Sequence, residues 1–212
     1  NPGIIRRKAA ATTGDDRIDR PYLLAVERLE ESQKDLTTLL EAYALLRKTF
    51  HREEWLYIIG KGSSEEELKQ KARALGIADR TVFLGFCANP YPWMLRSRLL
   101  VHSAKFEGLP TVLIEGLLLD KLMVATDCPT GPREILDDGR AGLLVPVGDA
   151  AAFASATDRL LNDTQLQADI LQGVRDRAAD FTFQAVDSKL RELMGVRLST
   201  DGNRRSSTTF NR

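Results

Sequence analysis

Short apolar runs alternate with amphipathic segments along most of the chain. Six continuous apolar runs predict buried strands: YLLAV (22–26), EWLYIIG (54–60), TVFLGF (81–86), LLVHS (99–103), LMVAT (122–126) and AGLLVP (141–146). Helical spacing or helix-start residues predict helices between and after these strands: 34–50, 63–76, 91–97, 110–120, 149–161 and two more that end near residue 195. This alternation predicts an α/β fold with a doubly wound, parallel, six-stranded Rossmann-like sheet.

The two ends of the chain lack this pattern. Residues 1–21 contain many breakers and little periodicity, and we predict an interdomain linker there. Residues 22–196 form the predicted domain, and residues 197–212 are predicted to be a loose polar tail. Because the first residue is Asn rather than Met, we expect the chain to be a piece of a longer protein or a processed one.

Two helix starts carry candidate caps. Ser63 is followed three residues later by Glu66, which predicts a capping box at the start of the helix 63–76. Asp149 is predicted to cap the helix that follows the sixth strand.

Composition narrows the class of partner. The 212 residues include 30 basic and 30 acidic side chains, so net charge gives no support for a nucleic-acid partner. Cys87 and Cys128 lack metal-ligand spacing and are expected to be free thiols in a reducing compartment. No apolar run approaches the roughly 20 residues that a membrane-spanning helix needs.

The stretch KFEGLPTVLIEGLLL (105–119) contains the strongest candidate chemistry. It follows the strand LLVHS, and doubly wound sheets bind ligands beyond the carboxyl ends of their strands. Pro110 is predicted to occupy the first position of a helix, so the N–H groups of Thr111 and Val112 would be free to bind an anion. Gly108 would let a ligand approach the backbone closely.

Two carboxylates flank this predicted anion site. Glu107 precedes the helix and Glu115 lies in its second turn. Two acceptors around an anion site suit a molecule with hydroxyls on both sides of a phosphate, such as a nucleoside diphosphate sugar. The alternative is that Glu107 only interacts with the helix dipole and that Glu115 is a solvated surface residue.

The residues around these acids resemble a known family. The block SAKFEGLPTVLIEGLLLDKLMVATDCPTGPREILDDGRAGLLVPVGD (103–149) is similar to the signature region of retaining glycosyltransferases with the GT-B fold, in the group called family 4 or group 1. Residues 25–46 and 56–86 are similar to the family's preceding units. The resemblance covers about residues 22–180 and corresponds to the C-terminal, donor-binding domain, which is one half of a GT-B fold.

The resemblance implies a set of residues that act on the donor. Glu115 would bind the ribose hydroxyls and Glu107 the hydroxyls of the donor sugar. Arg28 and Lys34 would neutralise the diphosphate in place of a metal ion, so no cofactor is expected. The alternative for Arg28 and Lys34 is solvated surface charge beside Glu30 and its neighbours. Glu107, Arg28 and Lys34 are the predicted catalytic residues.

Backbone groups complete the implied donor site. Gly108 and the amides near Leu109 and Thr111 would cradle the diphosphate. Phe86 follows the third strand, where the family's backbone meets the nucleotide base. Gly60 follows the second strand and would line the crevice, although a plain turn is an equal alternative.

Two positions depart from the family pattern. Glu27 stands where the family has Gly, and an acid there would repel a diphosphate unless its side chain points away. The interval from Arg28 to Lys34 is one residue longer than usual. His102 is expected to be a core or strand-end histidine.

The resemblance therefore implies the donor half of an enzyme. The full-length protein would move a hexose from a nucleotide sugar to a lipid-linked or polysaccharide acceptor, with retention, in the cytoplasm. It also allows peripheral association of that protein with the inner face of the membrane. The acceptor domain would be missing from this chain, so we expect the fragment alone to be inactive. The alternative is a catalytically degenerate binding or assembly module; an epimerase or phosphorylase on the same fold fits less well.

Overall fold

A computed structural model describes residues 2–10 and 19–194 of the chain. Residue 1, residues 11–18 and residues 195–212, which include the predicted polar tail, lie outside the described residues. The described part contains one six-stranded parallel sheet, so the predicted α/β doubly wound fold is confirmed. The strands are β1 (Tyr22–Val26), β2 (Trp55–Ile59), β3 (Thr81–Gly85), β4 (Leu99–His102), β5 (Met123–Thr126) and β6 (Leu143–Val145).

Helices connect and flank the strands. The described residues form α1 (Pro2–Ala9), α2 (Glu31–Lys34), α3 (Leu36–Thr49), α4 (Glu65–Ala74), α5 (Tyr91–Arg96), α6 (Thr111–Leu118), α7 (Pro132–Ile135), α8 (Ala150–Asn162), α9 (Thr164–Ala178) and α10 (Phe183–Leu193). The predicted helix 34–50 is divided at Asp35, whose positive φ of 44° ends α2 and precedes α3.

The strands are buried because helices cover the sheet. Every residue of β4 and β5 is buried, as are four of the five residues of β1 and of β2. Continuous apolar runs of this kind are typical of parallel sheets with both faces covered. Each run places its side chains in one core, in which Tyr22, Leu24 and Leu56 are fully buried.

The strand order determines where a ligand can bind. The order is β3-β2-β1-β4-β5-β6, so the first strand has β2 on one side and β4 on the other. The chain direction across the sheet reverses between β1 and β4. Crevices at such a reversal, beyond the carboxyl ends of the strands, are the usual ligand sites of doubly wound sheets.

The segment assigned as a linker contains a helix. Helix α1 packs against α5 and α6, with Ala9 fully buried. The Arg6 guanidinium donates to the carbonyl of Leu118 at 3.2 Å and pairs with Asp120 at 2.8 Å. Residues 2–9 therefore form a helix that packs on the domain, which the linker prediction did not include. The amino-acid pattern contains little signal for this helix, because the helix is short and carries few apolar residues.

One predicted cap is confirmed and one is wrong. The carboxylate of Asp149 accepts a hydrogen bond from the Ala152 N–H at 2.8 Å, so it caps α8 as predicted. Ser63 forms no capping box with Glu66. Its hydroxyl instead donates to Glu30 at 2.8 Å, and α4 begins two residues later. The competing acceptor is far away in sequence, so a local motif could not reveal it.

Candidate functional site

A cleft of about 710 Å³ opens at the switch point of the sheet. Its walls come from the loops after β1, β2 and β3, from α2, and from the start of α6. The residues that line it are Val26, Glu27, Arg28, Gln33, Lys34, Ile59, Gly60, Lys61, Phe86, Cys87, Glu107, Leu109, Pro110, Thr111 and Val112. Most of the predicted donor-site residues therefore share one cleft.

The start of α6 presents free backbone donors to this cleft. Pro110 is the N-cap rather than the first helical residue, and its carbonyl accepts from the Leu113 N–H at 3.0 Å. The N–H groups of Thr111 and Val112 make no hydrogen bond within the described part of the chain. Free N–H groups at the positive end of a helix bind anions.

The loop after β5 fixes this helix start. The Thr130 hydroxyl donates a hydrogen bond to the carbonyl of Glu107. Gly131 packs so closely that an added Cβ would lie 2.5 Å from the Pro110 ring. The loop between Glu107 and α6 is therefore held in place from outside the cleft.

Arg28 and Lys34, two cationic side chains of the cleft, differ in whether they form an ion pair. Arg28 is exposed, and its guanidinium forms no ion pair with the residues that the structure describes. Glu30 accepts hydrogen bonds from Ser63, and Glu31 accepts from the Thr37 N–H at 3.2 Å, so the hydrogen bonds of both acids go to groups other than Arg28. Arg28 is therefore a solvated cation that lines the cleft, which agrees with the alternative of solvated surface charge as well as with the predicted donor-site role.

Lys34 is instead paired within the cleft. It ends the short helix α2, and its ammonium group donates to Glu107 Oε1. The side chains are only 12% and 7% exposed. Burial alone would raise the pKa of Glu107, but His102 and Lys34 outweigh burial and lower it. Glu107 is thus a carboxylate acceptor on the cleft wall.

His102 and Glu27 lie behind this pair. His102 Nδ1 is 3.0 Å from Glu27 Oε1, and its Nε2 is 3.4 Å from Glu107 Oε1. These contacts are ion pairs by distance, although their angles fall outside hydrogen-bond geometry. The Glu27 side chain has no exposed surface, and its carboxylate also accepts from the Ser103 N–H at 3.1 Å. Although Glu27 departs from the family pattern, its charge points away from the cleft.

Glu115 lies one turn farther along α6 and does not line the cleft itself. It is half-buried, on the same helix face as Thr111 and Val112. The Tyr91 hydroxyl, at the start of α5, donates to Glu115 Oε1 at 3.2 Å. Burial raises the pKa of Glu115, while the hydrogen bond from Tyr91 opposes that shift. Glu115 can still accept from a ligand that extends beyond the start of α6.

Gly60, Gly108 and Phe86 differ in their surroundings. Gly60 has φ +152°, and a Cβ there would lie 2.9 Å from the Glu27 carbonyl carbon and still closer to its oxygen. Gly108 is exposed and would have no neighbour within 4 Å of an added Cβ. The Phe86 ring is 74% exposed on the cleft wall. Gly60 therefore has a packing role, whereas Gly108 and Phe86 are open to a ligand.

The structure adds four residues to those that the sequence singled out for the donor site. Glu27 and His102 form the buried second layer, Tyr91 contacts Glu115, and Lys61 lines the cleft. The Glu27 departure was the available signal, since a buried acid after a strand requires a cationic partner. Finding that partner also required the β1–β4 pairing, which the sequence pattern did not specify.

Two other features are absent from the described residues. They contain no group of three or more His, Cys, Asp or Glu side chains placed to hold a metal ion. None of their helices combines the length and the apolar character that crossing a bilayer requires.

The fold and cleft define a doubly wound α/β domain with a crevice at its switch point, and comparison with known proteins identifies its family. Residues 20–163 match the family model described as "Glycosyl transferases group 1". The match covers more than half of the chain, and the chain therefore belongs to the group 1 glycosyltransferase family.

An enzyme from Campylobacter jejuni is among the similar curated proteins. It is N-acetylgalactosamine-N,N'-diacetylbacillosaminyl-diphospho-undecaprenol 4-alpha-N-acetylgalactosaminyltransferase. It is 31% identical over 160 residues, which are 76% of this chain and 42% of the enzyme. The chain spans about half the length of the curated relatives it matches.

Solved structures show the same fold. HepE from Anabaena, crystallised with UDP and glucose, superposes with a TM-score of 0.74 at 23% identity, over 85% of this chain and 50% of HepE. The C-terminal domain of the group 1 protein LpcC from Francisella tularensis superposes with a TM-score of 0.67 at 21% identity. That likeness covers 82% of this chain and 96% of the LpcC domain. The chain therefore has the fold of one domain of a GT-B glycosyltransferase.

Proposed function

We propose that this chain is the donor-binding domain of a retaining glycosyltransferase that uses a nucleoside diphosphate sugar. One observation carries the proposal: the free N–H groups at the start of α6, the cations Arg28 and Lys34, and the carboxylate of Glu107 line a single cleft. This combination matches a ligand with a charged diphosphate next to hydroxyl groups. The UDP in the HepE structure supports a nucleotide ligand for this fold.

Each group would act on a separate part of the donor. The α6 amides and the exposed guanidinium of Arg28 would take the diphosphate, with Lys34 as a second cation near Glu107. Glu107 would accept from hydroxyls of the transferred hexose, and Glu115 from the ribose. During transfer the bond between the anomeric carbon and the diphosphate oxygen breaks, and the electron pair leaves with the diphosphate. Fixed donors and cations stabilise that developing charge, so no metal is required in this proposal.

The acceptor and the second half of the active site belong to the remainder of the enzyme in this proposal. A lipid-linked or polysaccharide acceptor is supported by the C. jejuni relative, whose name specifies a diphospho-undecaprenol-linked glycan. We propose that the full-length protein works in the cytoplasm, where it can associate with the inner face of the membrane. The fragment alone is expected to bind donor but to transfer no sugar.

The alternative of a degenerate binding module loses its main support. That alternative rested on Glu27, whose charge would repel a diphosphate in the cleft. The Glu27 side chain has no exposed surface and is 3.0 Å from His102. A protonated His102 at this distance offsets the negative charge that Glu27 would direct at an anion in the cleft.

Titration calorimetry tests the proposal. The chain is titrated with UDP, GDP and ADP, with EDTA present, and Glu115→Gln is compared with the exposed α4 control Glu67→Gln. We expect one nucleotide to bind, and Glu115→Gln to weaken it about tenfold or more, which corresponds to about 1.4 kcal/mol. Absence of binding by all three nucleotides at millimolar concentration, or equal affinity in both variants, would contradict the proposal.

A further inference from the structure

His102 is held between two acids in the interior of the domain. Its side chain is only 2% exposed, and each ring nitrogen faces a different carboxylate, Glu27 on one side and Glu107 on the other. A positive charge on the ring is attracted by both carboxylates, whereas a neutral imidazole gains no such attraction. Two carboxylates at the two nitrogens therefore favour the imidazolium.

The charges around the ring support the same state. The charged groups that face His102 in the described structure are Glu27 after β1, Glu107 after β4 and Lys34 at the end of α2. Burial alone would lower the pKa of His102, but Glu27 and Glu107 outweigh burial and Lys34, and they raise it to about 9. With His102 protonated, two acids and two bases balance; with His102 neutral, one buried carboxylate is uncompensated, which is costly.

The two carboxylate oxygens of Glu107 differ in their contacts. Lys34 and His102 both contact Oε1. Among the described residues, the hydrogen bond from Lys34 goes to Oε1 and none goes to Oε2. One oxygen is fixed by two cations, and the other is free to accept a hydrogen bond.

We propose that His102 is a positioning residue of the donor site: anchored on Glu27 as an imidazolium, it holds Glu107 Oε1 together with Lys34, so that Oε2 meets the hydroxyls of the donor sugar. This inference rests on the proposed function, in which Glu107 contacts the sugar. It gives the Glu27 departure a role, because Glu27 supplies the charge that keeps His102 protonated.

A positioning role for His102 predicts a binding result that a purely structural role does not. His102 acts through the sugar contact, so its loss should weaken a nucleotide sugar and spare the nucleotide alone. Glu115, in contrast, is proposed to contact the ribose, which both ligands share. The ratio of the two affinities therefore separates the role of His102 from that of Glu115.

The test measures UDP and UDP-glucose affinities by calorimetry for wild type, His102→Gln, Glu27→Gln and the double variant. If another base is preferred, the matching diphosphate and its glucose conjugate are used. We expect His102→Gln to lower the preference for the sugar conjugate about tenfold with UDP affinity nearly unchanged. Glu27→Gln should act in the same direction and add little in the double variant, since it acts through His102. Glu115→Gln should weaken both ligands equally.

The charge state is measured independently by NMR of the two imidazole rings. His51 is exposed and provides the second imidazole ring for comparison. We expect the ring of His102 to remain protonated at pH 7 and to titrate near pH 9, with a lower midpoint in Glu27→Gln. This measurement uses the folded wild-type chain, so it holds even if a variant folds poorly.

The outcomes separate the inference from the proposed function. A neutral His102 at pH 7, or an unchanged sugar preference in a folded His102→Gln, would overturn the inference while leaving nucleotide binding intact. If wild type binds no nucleotide at all, the proposed function fails and the inferred role at the donor site fails with it. If His102→Gln weakens UDP binding as much as it weakens UDP-glucose binding, the inference is also overturned, because equal losses indicate a general structural defect.

Discussion

Substitution of Gly60 by Ala tests whether the wall of the cleft depends on close backbone packing. Gly60 follows β2, and its N–H donates to the Gly85 carbonyl at 2.9 Å. The neighbouring Glu27 N–H donates to the Ile59 carbonyl, also at 2.9 Å, so the loops after β1 and β2 are held side by side. An added Cβ would lie 2.9 Å from the Glu27 carbonyl carbon and closer to the oxygen.

Two costs combine at this position. The φ of +152° is unfavourable for a side chain, at about 1–3 kcal/mol. Overpacking against fixed backbone adds about 1–3 kcal/mol. The sum, roughly 2–6 kcal/mol, corresponds to a fall in Tm of roughly 4–24 °C for a domain of this size.

Gly76→Ala is the matched control. Gly76 also has a positive φ, of +70°, but an added Cβ would meet nothing within 4 Å. It should therefore show only the conformational cost of about 1–2 kcal/mol. Differential scanning calorimetry and nucleotide titration of both variants provide the comparison. The close-packing account would be refuted if the two variants had equal Tm values. It would also be refuted if Gly60→Ala were as stable as Gly76→Ala and bound the nucleotide with wild-type affinity.

Two further predictions concern pH and the base. Because the folded pKa of His102 is about 9 and its ordinary value 6.5, its stabilisation is fully present below pH 6.5 and is lost as pH rises through 9. The advantage of wild type over His102→Gln in free energy of unfolding should therefore shrink by up to about 3 kcal/mol across that range, as measured by denaturant unfolding. Burial lowers the pKa of Lys121 to about 8, so its contribution to the free energy of unfolding changes with pH in the opposite direction. That contribution is the same in wild type and variant and cancels in the difference between them. A difference that does not depend on pH would refute the raised pKa of His102. Phe86→Ala should weaken UDP binding by roughly 1–3 kcal/mol through lost base stacking, with Tm unchanged because the ring is exposed; unaltered affinity would exclude Phe86 from the base site.

The strands could be predicted from sequence because each is a continuous apolar run with a clear end. The predicted run YLLAV coincides with β1, and the other five strands differ from prediction by no more than two residues at either end. Burial on both faces produces this strong signal. The short helices α1 and α2 were missed or merged, because a few residues do not establish a helical period.

Some residues of the candidate site could likewise be predicted from the sequence, and others could not. Groups that follow one strand or begin one helix, such as Glu107 and Thr111, could be found from local sequence. The cluster of Glu27, His102 and Lys34 could not, because its members come from the loop after β1, from β4 and from α2, and they meet only through the strand order. Long-range contacts of this kind require the topology as well as the pattern.

A crystal structure of the chain with UDP-glucose would test the central claim most directly. The proposed function predicts the diphosphate against the Thr111 and Val112 amides and Arg28, the ribose on Glu115, and the glucose on Glu107. A nucleotide bound elsewhere on the domain, or one in the cleft with its diphosphate remote from α6, would contradict that account.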